Sequence, residues 1–207
     1  AVHFGQAMTT RRAALTHVMH AALTTCVCGL SLAAHADLAG KPQPDTRSTV
    51  PSFVRALLRG TPRLIGQHRF TYWGFEVYDA SLWGSTAFAP DNWAMQALVL
   101  ELRYLRDFKG ADIAQRSIEE MQGQRTLSAA QQHNWSGVLQ SLIPNVRSGD
   151  RITGVYAPDK GMQLLHQDRL LGDITDAELA KRFFGIWLAP ETSQRQLRQQ
   201  LLAGAQQ

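Results

Sequence analysis

Leu98-Val99-Leu100-Glu101-Leu102-Arg103-Tyr104-Leu105-Arg106-Asp107-Phe108 is the stretch whose reading decides the fold class. Leu98, Leu100, Leu102, Tyr104, Arg106 and Phe108 fall on one side, and Val99, Glu101, Arg103, Leu105 and Asp107 on the other. Leucine also favours helices, so propensity alone leaves the segment open; the period of two decides for a strand over Met95 to Phe108.

Upstream, Arg63 to Trp83 is dense in aromatic and β-branched residues and is interrupted by Gly66 and Gly74. It reads either as two strands joined near Thr71 to Gly74 or as one bent strand, since a glycine inside a strand often marks a bulge. Trp73, Phe75 and Val77 share one face there, and Tyr72, Glu76, Tyr78 and Ala80 the other. Phe53 to Leu58 has a short helical spacing ended by Gly60-Thr61-Pro62, and Gly84 to Asn92 reads as a loop.

Downstream, two helices are expected, Ala111 to Met121 and Ser128 to Leu142. The first carries Asp112, Arg116 and Glu120 at spacings of four, which suit surface ion pairs. In the second, Ser128 and Gln131 match a capping box, Pro144 closes the helix, and Trp135, Val138, Leu139 and Leu142 supply its buried stripe. Arg151 to Ala157 and Met162 to His166 then read as a hairpin, and Asp168 to Asp173 as a turn region. Thr175 with Glu178 is expected to cap a helix carrying Leu179, Phe183 and Phe184, whose apolar run continues through Ile186, Trp187 and Leu188 to Pro190. A last helix runs over Ser193 to Leu202. Strands, two helices, strands and two helices in that order favour an α+β domain over a doubly wound sheet.

The N-terminal region has a different character. Arg11 and Arg12 precede an apolar stretch that ends in Ala34-His35-Ala36, with no acidic residue before Asp37. That is the layout of a secretory signal peptide over residues 1–36, with Met8 as a candidate start. Polar residues break the stretch before it reaches about 20 strongly apolar positions, which argues against a stable membrane anchor. A polar, proline-bearing leader follows over 37–50, and 51–207 then forms a single domain in the periplasm or outside the cell. Both cysteines, Cys26 and Cys28, leave with the signal. The exported domain therefore has no thiol for a disulfide, a nucleophile or a metal.

Much chemistry is excluded by what the residues do not spell. The formal net charge of +4 is scattered and loses two arginines with the signal, so no basic field for nucleic acid is left. His68, His133 and His166 have no metal-ligand spacing, and neither a phosphate-binding glycine loop nor a nucleophile elbow is present. Two cations stand out instead. Arg69 lies among Phe70, Tyr72, Trp73, Phe75 and Val77, and Arg106 falls beside Tyr104 on the mainly apolar face of the strongest strand. Each reads in one of two ways. It is structural, either half of an ion pair with Glu76 or Glu101 or at an edge position from which the side chain snorkels to water, or it is a guanidinium clamp for a carboxylate or enolate at the end of an apolar cleft.

Val77-Tyr78-Asp79-Ala80-Ser81-Leu82-Trp83, Leu102 to Gly110, Gly149-Asp150-Arg151-Ile152 and Phe184-Gly185-Ile186-Trp187-Leu188, taken in that order and spacing, resemble the bacterial exported chalcone-isomerase-like proteins. The resemblance runs from about Arg63 to Leu202. It implies an open-faced β-sandwich, in which a large antiparallel sheet is covered on one side by helices with a ligand cleft between. The wider superfamily includes plant enzymes that close a chalcone ring to a flavanone without a cofactor, and relatives without that activity that bind fatty acids. Carried over residue by residue, the resemblance makes Arg69 the nearest match to the catalytic arginine. It places Tyr78 where the enzymes have a threonine, and offers Thr192 or Ser193 for a hydroxyl near the last helix. Gly110 to Ser117, where the enzymes carry a tyrosine and an asparagine, has neither residue type. The expectation is a binding protein for a small hydrophobic acid, with Arg69, Tyr78, Tyr104, Arg106 and Thr192 as site residues and no metal or cofactor. A lyase or isomerase acting on a phenolic ketone is the alternative, and a structural or interaction role the third.

The signal reading makes one prediction. N-terminal sequencing of the protein from its native compartment should give Asp37 first; a mature chain that retains Arg11 and Arg12 would overturn it.

Overall fold

The computed structural model describes residues 52–58 and 61–206. The expected signal over 1–36 and leader over 37–50 lie outside the described residues.

Among the described residues, β1 (Pro62–Tyr72), β2 (Phe75–Ser85), β3 (Leu98–Tyr104), β4 (Arg151–Ala157), β5 (Gly161–His166) and β6 (Arg169–Ile174) make one antiparallel sheet in simple chain order. Helix α1 (Ser52–Leu57) precedes them. Helices α2 (Gly110–Gln124) and α3 (Ala129–Leu142) lie between β3 and β4, and α4 (Ala177–Leu188) and α5 (Arg195–Leu202) follow β6.

The alternation in β3 sorts the two faces. Leu98, Leu100, Leu102 and Tyr104 are buried beneath the helices, together with Tyr78, Ala80 and Leu82 of β2 and Ile152, Tyr156, Met162 and Leu164 of β4 and β5. Val99 points the other way and packs with Trp83, Val155 and Leu165 against Val54 and Leu58, so α1 covers part of the outer face.

The strand expected to reach Phe108 ends at Tyr104. Leu105 still donates to Val77 O at 2.9 Å, but Tyr104 O is taken by Gly149 N at 2.8 Å from the turn before β4. The chain then leaves the sheet to start α2, so Arg106 is exposed rather than on the apolar face. Upstream, the two-strand reading holds. Trp73 (φ +51°) and Gly74 (φ +79°) form the two-residue turn between β1 and β2, a left-handed pair of the type that matches strand twist.

The segment expected as a turn over Asp168 to Asp173 is instead strand β6. Its tight turn is Gln167-Asp168, both at positive φ and without a glycine to signal it. The cap of α4 sits one residue later than expected. Asp176, not Thr175, accepts from Leu179 N at 2.9 Å, and its second oxygen accepts from Trp135 Nε1 at 2.8 Å. One carboxylate thus satisfies a helix terminus and ties α3 to α4. The capping box of α3 forms as its sequence spells, with Gln131 N on Ser128 Oγ and Ser128 N on Gln131 Oε1. Val138 is exposed and Leu142 half-buried, so the buried stripe narrows to Trp135 and Leu139.

Helix α5 closes the layer over β1. Gly66 makes the contact: a Cβ there would stand 2.4 Å from Leu201 O and 2.5 Å from Gln200 O. Backbone cannot yield as a side-chain tip can, and overpacking of this kind costs about 1–3 kcal/mol. Gly66→Ala should therefore lower stability by about that much and expose the C-terminal helix to protease before the rest of the domain; unchanged thermal unfolding would refute the close approach.

Candidate functional site

Between the sheet and α2, α4 and the start of α5 lies a cavity of about 360 Å³, within the range of small-molecule sites, about 300–1,000 Å³. Leu100, Leu102, Ile152, Gly154 and Leu164 form the sheet wall; Ile113, Phe183, Phe184, Ile186 and Trp187 form the helix wall. Tyr72, Asp112, Arg116, Glu120 and Gln194 also line it and bring its polar and charged groups. The aromatic wall is continuous. Phe70 stacks on Tyr78 at 5.0 Å between centroids, Tyr78 meets Tyr104 edge-on at 5.9 Å, and Tyr104 meets Phe108 at 5.7 Å.

Two buried phenols supply uncharged hydrogen-bonding groups. Trp187 Nε1 donates to Tyr78 Oη at 3.0 Å. An indole nitrogen can only donate, so Tyr78 accepts there and its own proton remains to be given; among the described residues it has no acceptor. Tyr104 Oη likewise has no partner among the described residues. Burial pushes the ionisation of both phenols well above the ordinary tyrosine range; Trp187 pulls Tyr78 back only in part. Both are therefore neutral donors at any physiological pH.

The charged lining groups are covered to different degrees, Arg116 being half-exposed and Glu120 largely buried. The Arg116 guanidinium contacts Glu120 and lies 3.4 Å from Glu119, with its carbon 5.9 Å from the centroid of the Tyr72 ring. Glu120 also accepts from Ser193 Oγ at 2.7 Å, which links α2 to the segment before α5. Ser117 lines the cavity, but its hydroxyl is committed to Ile113 O at 2.8 Å.

Of the residues expected at the site, Tyr78 and Tyr104 line the cavity and the other three do not. Arg69 stands on the opposite face of β1. It donates Nε and Nη2 to Asp79 at 2.7 and 3.0 Å, and Nη1 to Glu76 at 2.8 Å. The parity of the strand explains this: Phe70 faces the cavity, so its neighbour Arg69 faces away. Arg69 is thus half of an ion pair, with Asp79 as the bidentate partner beside Glu76. Arg106 lies over the Phe75 ring, 4.7 Å from its centroid. Thr192 is buried and spends its hydroxyl on the turn after α4, donating to Ile186 O and accepting from Gln194 N.

Sequence reasoning missed Arg116, Glu120 and Trp187 as lining residues. The spacing of Arg116 and Glu120 announced an ion pair on α2 but not which surface that face of the helix borders. Trp187 was submerged in an apolar run, and nothing local tells that its N–H reaches a phenol on β2.

A family model described as "Chalcone isomerase-like" matches residues 67–203. The chain belongs to the chalcone isomerase-like family. It is 29% identical over 138 residues to an uncharacterized protein of Haemophilus influenzae, covering 67% of this chain and 66% of that one. The chain thus spans just under two thirds of that relative's length. Among solved structures, a fatty-acid binding protein of Arabidopsis thaliana matches with a TM-score of 0.56 at 10% identity, over 72% of this chain and 91% of the other. At that identity the likeness shows the fold: an open antiparallel sheet with helices over one face.

The buried phenols make a pH prediction. A folded-state pKa raised above the unfolded value means that the native state holds its proton longer. The stability this contributes is whole below the unfolded pKa, about 10 for tyrosine. It is lost as pH rises above that value, at up to about 1.4 kcal/mol per pH unit for each such group. Tyr78→Phe and Tyr104→Phe should each flatten the alkaline fall in unfolding free energy above about pH 10; slopes identical to wild type would show that the phenols ionise in the folded protein.

Proposed function

We infer that this protein is a non-catalytic binding protein for a small hydrophobic acid of the fatty-acid type, acting after export. The carrying observation is the division of the cavity: an almost wholly apolar interior with two neutral phenols free to donate, and an arginine in the lining. Sites of this kind hold a tail by burial and orient a head by a few polar groups. The carboxylate takes donors from Arg116 and Tyr78, and the tail lies between Leu102, Ile152 and Leu164 on one side and Phe183, Phe184 and Ile186 on the other. That a protein of this fold is named for fatty-acid binding supports the choice of ligand. Ring closure of a chalcone finds less support. It needs donors placed at a developing enolate, and α2 brings neither tyrosine nor asparagine to the cavity.

Asp112 and Glu120 stand among the same lining residues, and they favour a second reading in which the head is uncharged, as in a long-chain alcohol. Calorimetry separates the two. Each added methylene should strengthen binding by about 0.8 kcal/mol until the cavity is full. Arg116→Ala should weaken the acid by about 1.5–3 kcal/mol, the worth of a hydrogen bond to a charged group. Arg116→Lys should restore only part of that, since it keeps the charge and loses the fork, and Arg69→Ala should bind as wild type. If the alcohol of equal length binds as tightly as the acid, and Arg116→Ala weakens neither, the acid reading is wrong and the neutral one stands. If neither ligand binds, the cavity is not a lipid site.

A further inference from the structure

The tip of the β1–β2 hairpin holds three aromatic side chains in solvent: Tyr72 is 48% exposed, Trp73 84% and Phe75 58%. This is the part of the molecule least explained by folding. A two-residue turn with both positions left-handed is best served by Asn-Gly, yet the first place is Trp73 at φ +51°. A bulky residue there carries a steric penalty, and what stands by the largely exposed indole is the Tyr72 ring, with centroids 6.3 Å apart, itself half-exposed. The tip is also continuous with the cavity, because Tyr72 is both a tip residue and one of its lining residues. Its cations are disposed unevenly. Arg69 is matched by Asp79 and Glu76, and Arg116 by Glu119 and Glu120. Arg106, stacked on Phe75, has no carboxylate partner among the described residues.

We propose that this tip docks the protein on a lipid bilayer, with Trp73 and Phe75 entering the interfacial layer, Arg106 meeting a lipid phosphate, and Tyr72 at the boundary between membrane and cavity. Indole and phenol rings suit that layer because one end is apolar and the other makes hydrogen bonds. A single unpaired cation complements the anionic oxygens of the headgroups and orients the tip. Insertion of the rings carries the binding, so salt weakens it little. No helix among the described residues is long and apolar enough to cross a membrane, and docking of this sort is peripheral and reversible. The proposal takes its meaning from the reading of the cavity as a lipid site, but the docking itself is independent of any bound acid.

The test is co-sedimentation of the purified protein with vesicles of phosphatidylethanolamine and phosphatidylglycerol that contain no free fatty acid, together with quenching of tryptophan fluorescence by lipids brominated along the chain. Trp73→Asn is the key variant, because it suits the turn and should unfold at the same temperature as wild type or higher. It should lower vesicle partitioning by about tenfold or more, as removal of a membrane-buried indole requires. Arg106→Ala should lower it less. Raising the salt should leave most of the wild-type binding in place. Wild-type protein that stays in the supernatant overturns the proposal, as does a Trp73→Asn variant that sediments like wild type. Self-association of wild type that Trp73→Asn abolishes, without vesicle binding, would assign the tip to a second copy of the chain instead. Acid binding in vesicle-free solution should be equal for wild type and Trp73→Asn. Loss of acid binding with docking intact therefore counts against the cavity reading alone, and the reverse against docking alone.

Discussion

A sheet face made of Leu98, Leu100, Leu102, Tyr104, Ile152 and Leu164 has to be kept from water, and the helices after β3 and β6 are what the chain has to cover it. Burying side chains of that size is worth about 1.5–3 kcal/mol each, so the covering layer is where the stability resides. The cover is not uniform. Over β1 a glycine lets α5 settle onto the strand. Over β2 and β4, Trp187 donates to Tyr78 Oη and Phe184 packs on the Tyr156 ring, with Phe183 set edge-on against both Phe184 and Trp187, and the layer stands off enough to leave a cavity. Site and core are thus one apolar layer, filled in one part and open in another.

Polar contacts between separate elements fix this arrangement. Asp176 holds the end of α4 and reaches Trp135 on α3; Trp187 reaches Tyr78 across the cavity; Arg63 donates to Gly204 O at 2.8 Å; and Arg198 donates to Leu188 O at 2.8 Å. Each satisfies a group that would otherwise be costly to bury. Those of Asp176 and Arg198 fix helix against helix, and those of Trp187 and Arg63 fix the helical layer against the sheet.

What the sequence made legible follows from the range of each signal. The period of two at 98–104 and the capping box at Ser128 are local patterns, and they appear in the structure where they were read; of the two readings left open for Thr71 to Gly74, two joined strands or one bent strand, the structure has the first. The strand at 169–174 hid behind a turn made of Gln167 and Asp168, which takes positive φ at both places without the glycine or asparagine that would advertise it. The extension of β3 to Phe108 failed because alternation continues for four residues after the chain has left the sheet, where Tyr104 O is claimed by Gly149. Tyr104 was found because the alternation of β3 carries it to the apolar face, and Tyr78 through the resemblance, at the place of the enzymes' threonine. Arg69 was placed in the cleft on composition, as a cation among aromatics, and parity turns it to the other side. Arg116 was visible only as a surface ion pair, because spacing on a helix tells which residues share a face and not what that face meets.

The exchange of Arg69 for Arg116 as the cavity's cation has a physical logic. A guanidinium in the depth of an apolar cavity must bring a buried counter-charge, and the desolvation of the two often outweighs their attraction. Arg116 lessens that cost: its side chain is 55% exposed and Glu119 beside it is half-exposed, so that of the three charges Glu120 alone, at 11%, is largely covered. Within the cavity the hydrogen-bonding groups are phenols, which give a proton without carrying charge and which burial keeps neutral. A ligand head that meets these donors finds Tyr78 already oriented by Trp187, so little side-chain freedom is lost on binding. With the charge left at half-exposed Arg116 and the buried donors kept neutral, the layout of the site suits the amphipathic ligand proposed for it.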